Sequence, residues 1–422
     1  MTKRGRVAVI GGGISGMGAA HFLGADREVV LFEGRQRLGG HARTKVVDET
    51  AVDTGFIVFN YPNYPHLAAL FDHFGVPIAE SDMSFGASFE GGRLQFGLKD
   101  VGAVFAQKKN AFDPRFWRMI RDILRFNRNA LAASADAELT IRNLLQKLRT
   151  GDYFRDRYLL PLTGAIWSTP LDKILDFPAH AMLRFMENHA LLATSGQHQW
   201  YTVKGGSVEY VRRLETELTR QGVDLRIAAP VQAVKRETGG VLVKAQGAEW
   251  EQFDDVVFAV HSDDALRMIE DPSEHEQASL GDIRYQPNHV VLHSDASVMP
   301  GLKKVWSSWT YVETSRSDES IDLTYWMNSL QPLPKERDFF VTLNSQQPIR
   351  EELTHDETIL RHPVYDLPAL AAQGRIAERN GEKRTWFCGA WMKNGFHEDG
   401  LSSAIDVVEA IRAREAAAVA AE

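Results

Sequence analysis

A short apolar run, Arg6 to Ile10, leads straight into Gly11, Gly13 and Gly16, spaced G-x-G-x-x-G, ahead of a helix-like stretch from Met17 to Leu23. That order of strand, tight turn and helix leaves few folds open. The first glycine permits the turn, the second lets a pyrophosphate approach the backbone, and the third lets helix and strand pack closely. Free N–H groups and the helix dipole then face the phosphates. A second strand, Glu28 to Phe32, ends in Glu33, 22 residues after Gly11. A carboxylate there accepts hydrogen bonds from ribose hydroxyls. A glycine-rich turn beside an ordinary surface glutamate would not need all five features in this order. The pattern predicts an α/β fold with a Rossmann-type dinucleotide-binding domain.

The 422 residues exceed what one hydrophobic core accommodates, so two structural domains are expected. With 44% hydrophobic and 25% charged residues, the composition is that of a soluble globular protein. A net charge of −8 argues against a nucleic-acid partner. The single cysteine, Cys388, excludes an internal disulfide and a cysteine-based zinc site, and fits a reducing cytoplasm. The basic start and apolar run superficially resemble a signal peptide, but the glycine spacing explains them better. No stretch reaches the roughly 18 uninterrupted apolar residues of a membrane span. The expectation is a cytoplasmic protein, with a peripheral seat on the inner membrane face as the variant.

The segment after Glu33 reads "EGRQRLGGHARTK" and carries Arg37, Gly39, Gly40, Arg43 and Thr44. It resembles the flavin-binding continuation E-x-x-x-R-x-G-G-R-x-x-T of the amine oxidase and phytoene desaturase superfamily of FAD enzymes. The resemblance implies non-covalent FAD, a three-layer FAD domain like that of glutathione reductase, and a discontinuous α+β substrate domain. It also implies that the glycine pair passes beside the cofactor and that the arginines offer charge to phosphate. His41 stands where the family usually has arginine. Further on, Gly55 and Phe56 in "VDTGF" match a turn the family places near the flavin, and Val231 matches the position whose backbone contacts adenine.

By this resemblance, residues 1–80, 196–284 and 371–422 form the FAD domain, and residues 81–195 and 285–370 the substrate domain. The glycine pair Gly205 and Gly206 leads into a helix beneath the cofactor, and a core helix is expected from Tyr64. The first substrate segment reads as mainly helical. In it, Pro114 to Ser134 combines an apolar face with Arg115, Arg118, Arg121, Arg125 and Arg128. Such a helix either presents a solvated face or lies on an anionic bilayer. The second segment alternates like strands and concentrates Trp306, Trp309, Tyr311, Tyr325 and Trp326. These rings either wall an apolar tunnel or form sheet core. In "NHVVLHSD", His289, Val291 and His293 share one face of a strand and Val290 and Leu292 the other.

No second G-x-G-x-x-G follows a strand downstream, which predicts a flavin reduced by the substrate rather than by a nicotinamide cofactor. Oxygen, a quinone or a carrier would reoxidise it. The combination of "TGAIWSTP", "WSSW", "YWMNSLQ" and "GFHEDGL" resembles a bacterial subgroup of predicted NAD/FAD-binding proteins associated with unsaturated and methylated fatty acids, including a desaturase-like step in furan fatty acid formation. The resemblance implies hydride removal from an apolar acyl chain of a phospholipid to the flavin. Isomerisation of a double bond, amine oxidation, carotenoid-type desaturation and a non-enzymatic FAD scaffold stay open. His289, His293, His397 and Glu398 are the candidate proton-transfer groups.

Near the C-terminus, "NGFHEDGLSSAI" places His397, Glu398 and Asp399 consecutively, a spacing from which side chains diverge, so no metal site is expected. A helix is predicted from Leu401, with Leu401, Ile405, Val408 and Ile411 on one face. The turn resembles the family's final flavin motif, which points to the backbone of Gly400 and Leu401. Gly389, after the strand "TWFC", belongs to the same cradle, with Ala390 where many relatives have an acid.

Overall fold

The computed structural model describes residues 5–136, 138–167, 171–193, 196–313 and 321–421; Ser168 to Pro170 of "TGAIWSTP" lie outside the described residues. Five parallel strands form the first sheet, in the order Asp224–Ile227, Glu28–Glu33, Arg6–Ile10, Asp255–Phe258 and Thr385–Phe387. Their residues are apolar on both faces because both faces are covered. Val7, Val9, Val29 and Leu31 pack under helices Ile14–Gly24, Val208–Arg220 and His397–Ala421. Ala8, Ile10, Val30 and Phe32 meet Val234, Val243 and Phe253 of a three-stranded antiparallel sheet. Each such buried valine or leucine contributes roughly 1.5–3 kcal/mol. The result is three layers, helix, sheet and sheet.

Helix Ile14–Gly24 is apolar nearly all round, with Met17, Ala19, Ala20 and Leu23 fully buried. It lies between the sheet and the C-terminal helix, so no face remains for polar residues. A Cβ on Gly18 would sit 2.6 Å from Leu401 Cδ1, and its absence sets how closely the two helices approach.

The second sheet has seven strands: Thr354–Pro363, Tyr285–His293, Phe340–Leu343, Leu323–Trp326, Trp309–Val312, Phe85–Phe89 and Leu94–Gly97. Neighbours are antiparallel except Trp309–Val312 with Phe85–Phe89. Val290, Leu292, Val341 and Leu343 share a core on one face. Helices Pro114–Ala133, Ile141–Leu148, Leu160–Trp167 and Ala179–Asn188 pack around Phe85, Phe89 and Phe96 at the sheet's far end. Asp113 starts the first of these by accepting the Arg115 N–H, with Pro114 in the first turn.

Candidate functional site

A cavity of about 750 Å³ runs from the glycine turn of the parallel sheet to the helices beyond the seven-stranded sheet. At its first end, the Gly11 N–H donates to Phe32 O at 2.8 Å, which ties the turn to the second strand. A Cβ on Gly16 would lie 1.8 Å from Gly11 O, so this glycine serves helix–strand packing. Gly13 differs: its Cβ would meet only Gly40 Cα, at 3.8 Å, and would otherwise project into the cavity it lines. No protein atom requires a glycine there; a ligand passing close to the backbone does. Glu33 accepts the Gly12 N–H and the Arg35 N–H, each at 2.7 Å, and lines the same end.

The loop that follows divides its residues between ligand and scaffold. Gly40, His41, Thr54, Gly55 and Phe56 line the cavity, and so does Arg35, which the sequence reading missed. Arg37, expected to offer charge to phosphate, instead donates to Leu38 O, Ala42 O and Gly40 O and staples the loop's carbonyls. Arg43 donates to Thr54 Oγ1 and pairs with Asp356 at 2.5 Å. Thr44 donates to Asp53 Oδ1 at 2.6 Å and accepts the Val208 N–H, joining the loop to helix Val208–Arg220. Gly39 carries a φ of +104° and donates its N–H to Gly12 O. Val231 turns its side chain into the core shared with Val234 and Val243 and does not line the cavity.

The C-terminal cradle starts earlier than expected. The last helix begins at His397, and its entrance, Asn394 to His397, lines the cavity. The first turn of a helix leaves its N–H groups without intrahelical partners. Gly400 and Leu401 therefore sit inside the helix: the Gly400 N–H bonds Phe396 O, and a Cβ there would meet Ser15 Oγ at 2.8 Å. Glu398 is no proton-transfer group of this cavity either. It accepts the N–H groups of His66 and Leu67, at 3.0 and 2.8 Å, and caps helix Pro65–His73. Gly389 and Ala390 line the cavity, and the Gly389 N–H is held by Ser403 Oγ. Cys388 beside them is buried, and burial pushes its thiol up to about 12.

Of the four candidate acid/base residues, His397 alone lines the cavity. It stacks on Phe56 with ring centroids 3.9 Å apart, and its Nε2 and the Tyr210 hydroxyl share a hydrogen bond of 2.7 Å. Strand alternation explains the loss of the other two histidines. Val290 faces the cavity, so His289 and His293 point the opposite way. His289 is exposed and pairs with Glu357; His293 is buried against Thr342 Oγ1 at 2.7 Å.

Three further histidines, from distant segments, are not among the acid/base candidates read from the sequence, where His41 figures only as a replacement for arginine. His41, His261 and His362 line the cavity, with His41 5.8 and 5.7 Å from the other two rings. Burial pushes His41 down to about 4, and His261, His362 and His397 to about 3, so all four rings are neutral at pH 7. His41 Nε2 is buried without a protein partner. The donors and acceptors left open here, with the Gly13 opening, fit the FAD that the sequence resemblance implies. His261, Asp263 and Asp264 come within ligand distance of one another, but Arg361 bonds both carboxylates, at 2.5 and 2.6 Å.

Beyond the cradle the cavity becomes an apolar arm. Val290, Val341, Leu343, Leu360, Trp309 and Tyr325 of the seven-stranded sheet line one side, and Leu162, Ile166, Trp167 and Phe185 of the helices the other. The aromatic cluster read from the sequence is thus divided. Trp309 and Tyr325 face the arm, Trp306 and Trp326 pack against Phe340 on the reverse of the sheet, and Tyr311 joins the helical core. His189 lines the arm among Phe185, Trp200 and Phe396. Its Nδ1 lies 2.9 Å from Phe185 O, so the carbonyl fixes the ring proton on Nδ1 and leaves Nε2 unprotonated.

A match to the family described as "Flavin containing amine oxidoreductase" covers residues 14–294. A curated relative, (S)-6-hydroxynicotine oxidase of Paenarthrobacter nicotinovorans, is 31% identical over 126 residues, and the match spans 28% of each chain. Among solved structures, the CLA-producing fatty acid isomerase from P. acnes superposes with a TM-score of 0.70 at 15% identity, over 97% of this chain and 99% of its own. Putrescine oxidase bound to putrescine gives 0.67 at 15%, over 97% and 99%. Reduced UDP-galactopyranose mutase gives 0.68 at 12%, over 97% and 96%. Identities this low speak to the fold alone.

Proposed function

For a chain that belongs to the family of flavin containing amine oxidoreductases, and is thus an FAD-dependent oxidoreductase, we propose an unsaturated or methyl-branched fatty acyl chain as the substrate. The observation that carries this reading is the apolar arm, with no carboxylate free to meet a substrate ammonium among the described residues. Three carboxylates line the cavity: Glu33 holds two backbone N–H groups, Asp82 pairs with Lys99, and Asp264 pairs with Arg361. The likeness in fold to a fatty acid isomerase is compatible with an acyl substrate.

Bound FAD supplies the two-electron acceptor for hydride removal. The chain's own residues supply the rest. The opening at Gly13 would take the diphosphate, Gly40 packs closely on the Gly13 backbone, Glu33 orients the turn, and the rings of Trp309, Tyr325 and Trp167 exclude water along the arm. His189 is placed to take the proton lost from the acyl chain on its free Nε2; burial pushes the ring down to about 4, which keeps it unprotonated at pH 7. Desaturation is the reaction we favour. Double-bond isomerisation would use the same residues without net oxidation.

The test is aerobic incubation of the yellow protein with phospholipids carrying monounsaturated or methyl-branched chains, followed by mass spectrometry. Desaturation predicts an acyl product lighter by two hydrogens. An isomer of unchanged mass would assign the isomerase reading. Turnover of simple amines with untouched acyl chains would refute both.

A further inference from the structure

The outer surface of the helix that closes the arm has chemistry the reaction does not use. Helix Pro114–Ala133 buries Phe116, Met119, Phe126 and Ala130 as its inward stripe. Yet Trp117 and Leu124 stand 50% and 52% exposed, and nearby Phe112 and Val101 86% and 74%. Trp117, Arg121, Leu124 and Arg128 follow helical spacing and so share one outward face. Although the whole chain carries −8, residues 101–133 hold seven lysines and arginines against two aspartates. Asp113 pairs with Arg115, while Asp122 is buried, bonded by the Gly151 N–H and 3.9 Å from an Arg121 that stays 70% exposed. The other five basic residues have no acid in this segment to answer them.

Beneath this surface lies a second, wholly apolar cavity of about 250 Å³, between the helix and residues 101–105. Leu98 and Ile123 line both this cavity and the reaction cavity, so the two share a wall. Trp117 is held over the opening by its indole N–H, which donates to Ala111 O at 2.9 Å. Exposed aromatics ringed by cations, above an apolar cavity, match the boundary between lipid headgroups and acyl chains better than they match bulk water.

We propose that this face docks on an anionic phospholipid bilayer. Phe112, Trp117 and Leu124 enter the headgroup boundary, Lys108, Lys109, Arg118, Arg121 and Arg128 meet lipid phosphates, and an acyl chain passes between Leu98 and Ile123 into the arm. Docking stands on the surface alone; the passage rests on the acyl-chain reading above. Among the described residues no helix is long and apolar enough to cross a membrane, so the contact is peripheral.

Co-sedimentation of the flavin-loaded protein with vesicles tests it. Vesicles of phosphatidylcholine and phosphatidylglycerol in equal parts should bind the protein, pure phosphatidylcholine should not, and binding should weaken as salt rises. Reversing three arginines together, R118E, R121E and R128E, should weaken binding by at least about a hundredfold while flavin content holds, since loss of each basic residue at such a surface costs about fivefold and the new carboxylates add repulsion. Trp117→Ala tests the apolar half and should weaken binding at high and low salt alike. Equal binding to neutral vesicles, or unaltered binding of the triple variant, overturns the proposal. So does absence of vesicle binding, whether the face pairs with a second copy or stays free. Acyl oxidation in detergent micelles is scored separately, so docking and substrate class fail independently.

Discussion

Gly13 and Gly16 are both glycines of one motif, yet they answer to different neighbours. Gly16 faces a carbonyl 1.8 Å from where its Cβ would be, whereas Gly13 has an extended backbone, φ −79° and ψ −175°, and open space. Gly16→Ala should therefore prevent folding, seen as insoluble protein. Gly13→Ala should fold, with flavin-free stability within about 1 kcal/mol of the parent. Its methyl group occupies ligand space, so FAD affinity should drop at least about tenfold, a cost of about 1.4 kcal/mol, measured by flavin fluorescence on titration. Equal losses in the two variants would mean that both glycines serve packing alone.

The last helix shows how one element's boundary depends on another. Apolar spacing places its start at Leu401, but it begins at His397, where Asp399 accepts the Phe396 N–H and Glu398 turns to cap helix Pro65–His73. Removing that carboxylate by Glu398→Ala should cost about 1–2 kcal/mol of stability, read as a lower denaturation midpoint, with the flavin spectrum unchanged. A variant whose spectrum shifts without loss of stability would return Glu398 to the cavity. The same limit governs what the sequence could reveal elsewhere. Strand, glycine turn and acid are local patterns, and Gly11, Gly13 and Glu33 line the cavity. Whether Arg37 turns to a phosphate or to its own loop's carbonyls is settled by packing, and no local pattern records it. The cluster of His41, His261 and His362 assembles from segments far apart in the chain, and the tautomer of His189 is set by the carbonyl of Phe185. The split of the aromatic cluster was half legible: alternation separates the two faces of a strand but does not say which one looks into a cavity.

Across the whole molecule, five neutral histidines line one cavity, His41, His189, His261, His362 and His397, each pushed down to about 3 or 4 by burial. The unfolded chain protonates them near 6.5, the ordinary value for histidine. Above that pH neither state binds the protons and stability is full. As pH falls below it the unfolded state takes up protons that the folded state refuses, so stability is lost progressively down to about 3. Asp53 and Asp399, raised to about 6 by burial, act with the opposite sign between 3.8 and 6 and offset part of the loss. Urea midpoints measured from pH 7.5 down to pH 5 should fall, and replacing His41 by Asn should flatten the decline; a midpoint that rises with acid would refute this balance.

The chain is an FAD-dependent oxidoreductase of the flavin containing amine oxidoreductase family, and we propose that it takes hydride from an apolar chain. Anaerobic mixing of the FAD-loaded protein with methyl-branched and monounsaturated phospholipids, followed by flavin absorbance, tests that assignment directly. The yellow band should bleach with one or more of these lipids and persist with simple amines. Bleaching by amines alone, with the band intact under every acyl chain, would contradict it.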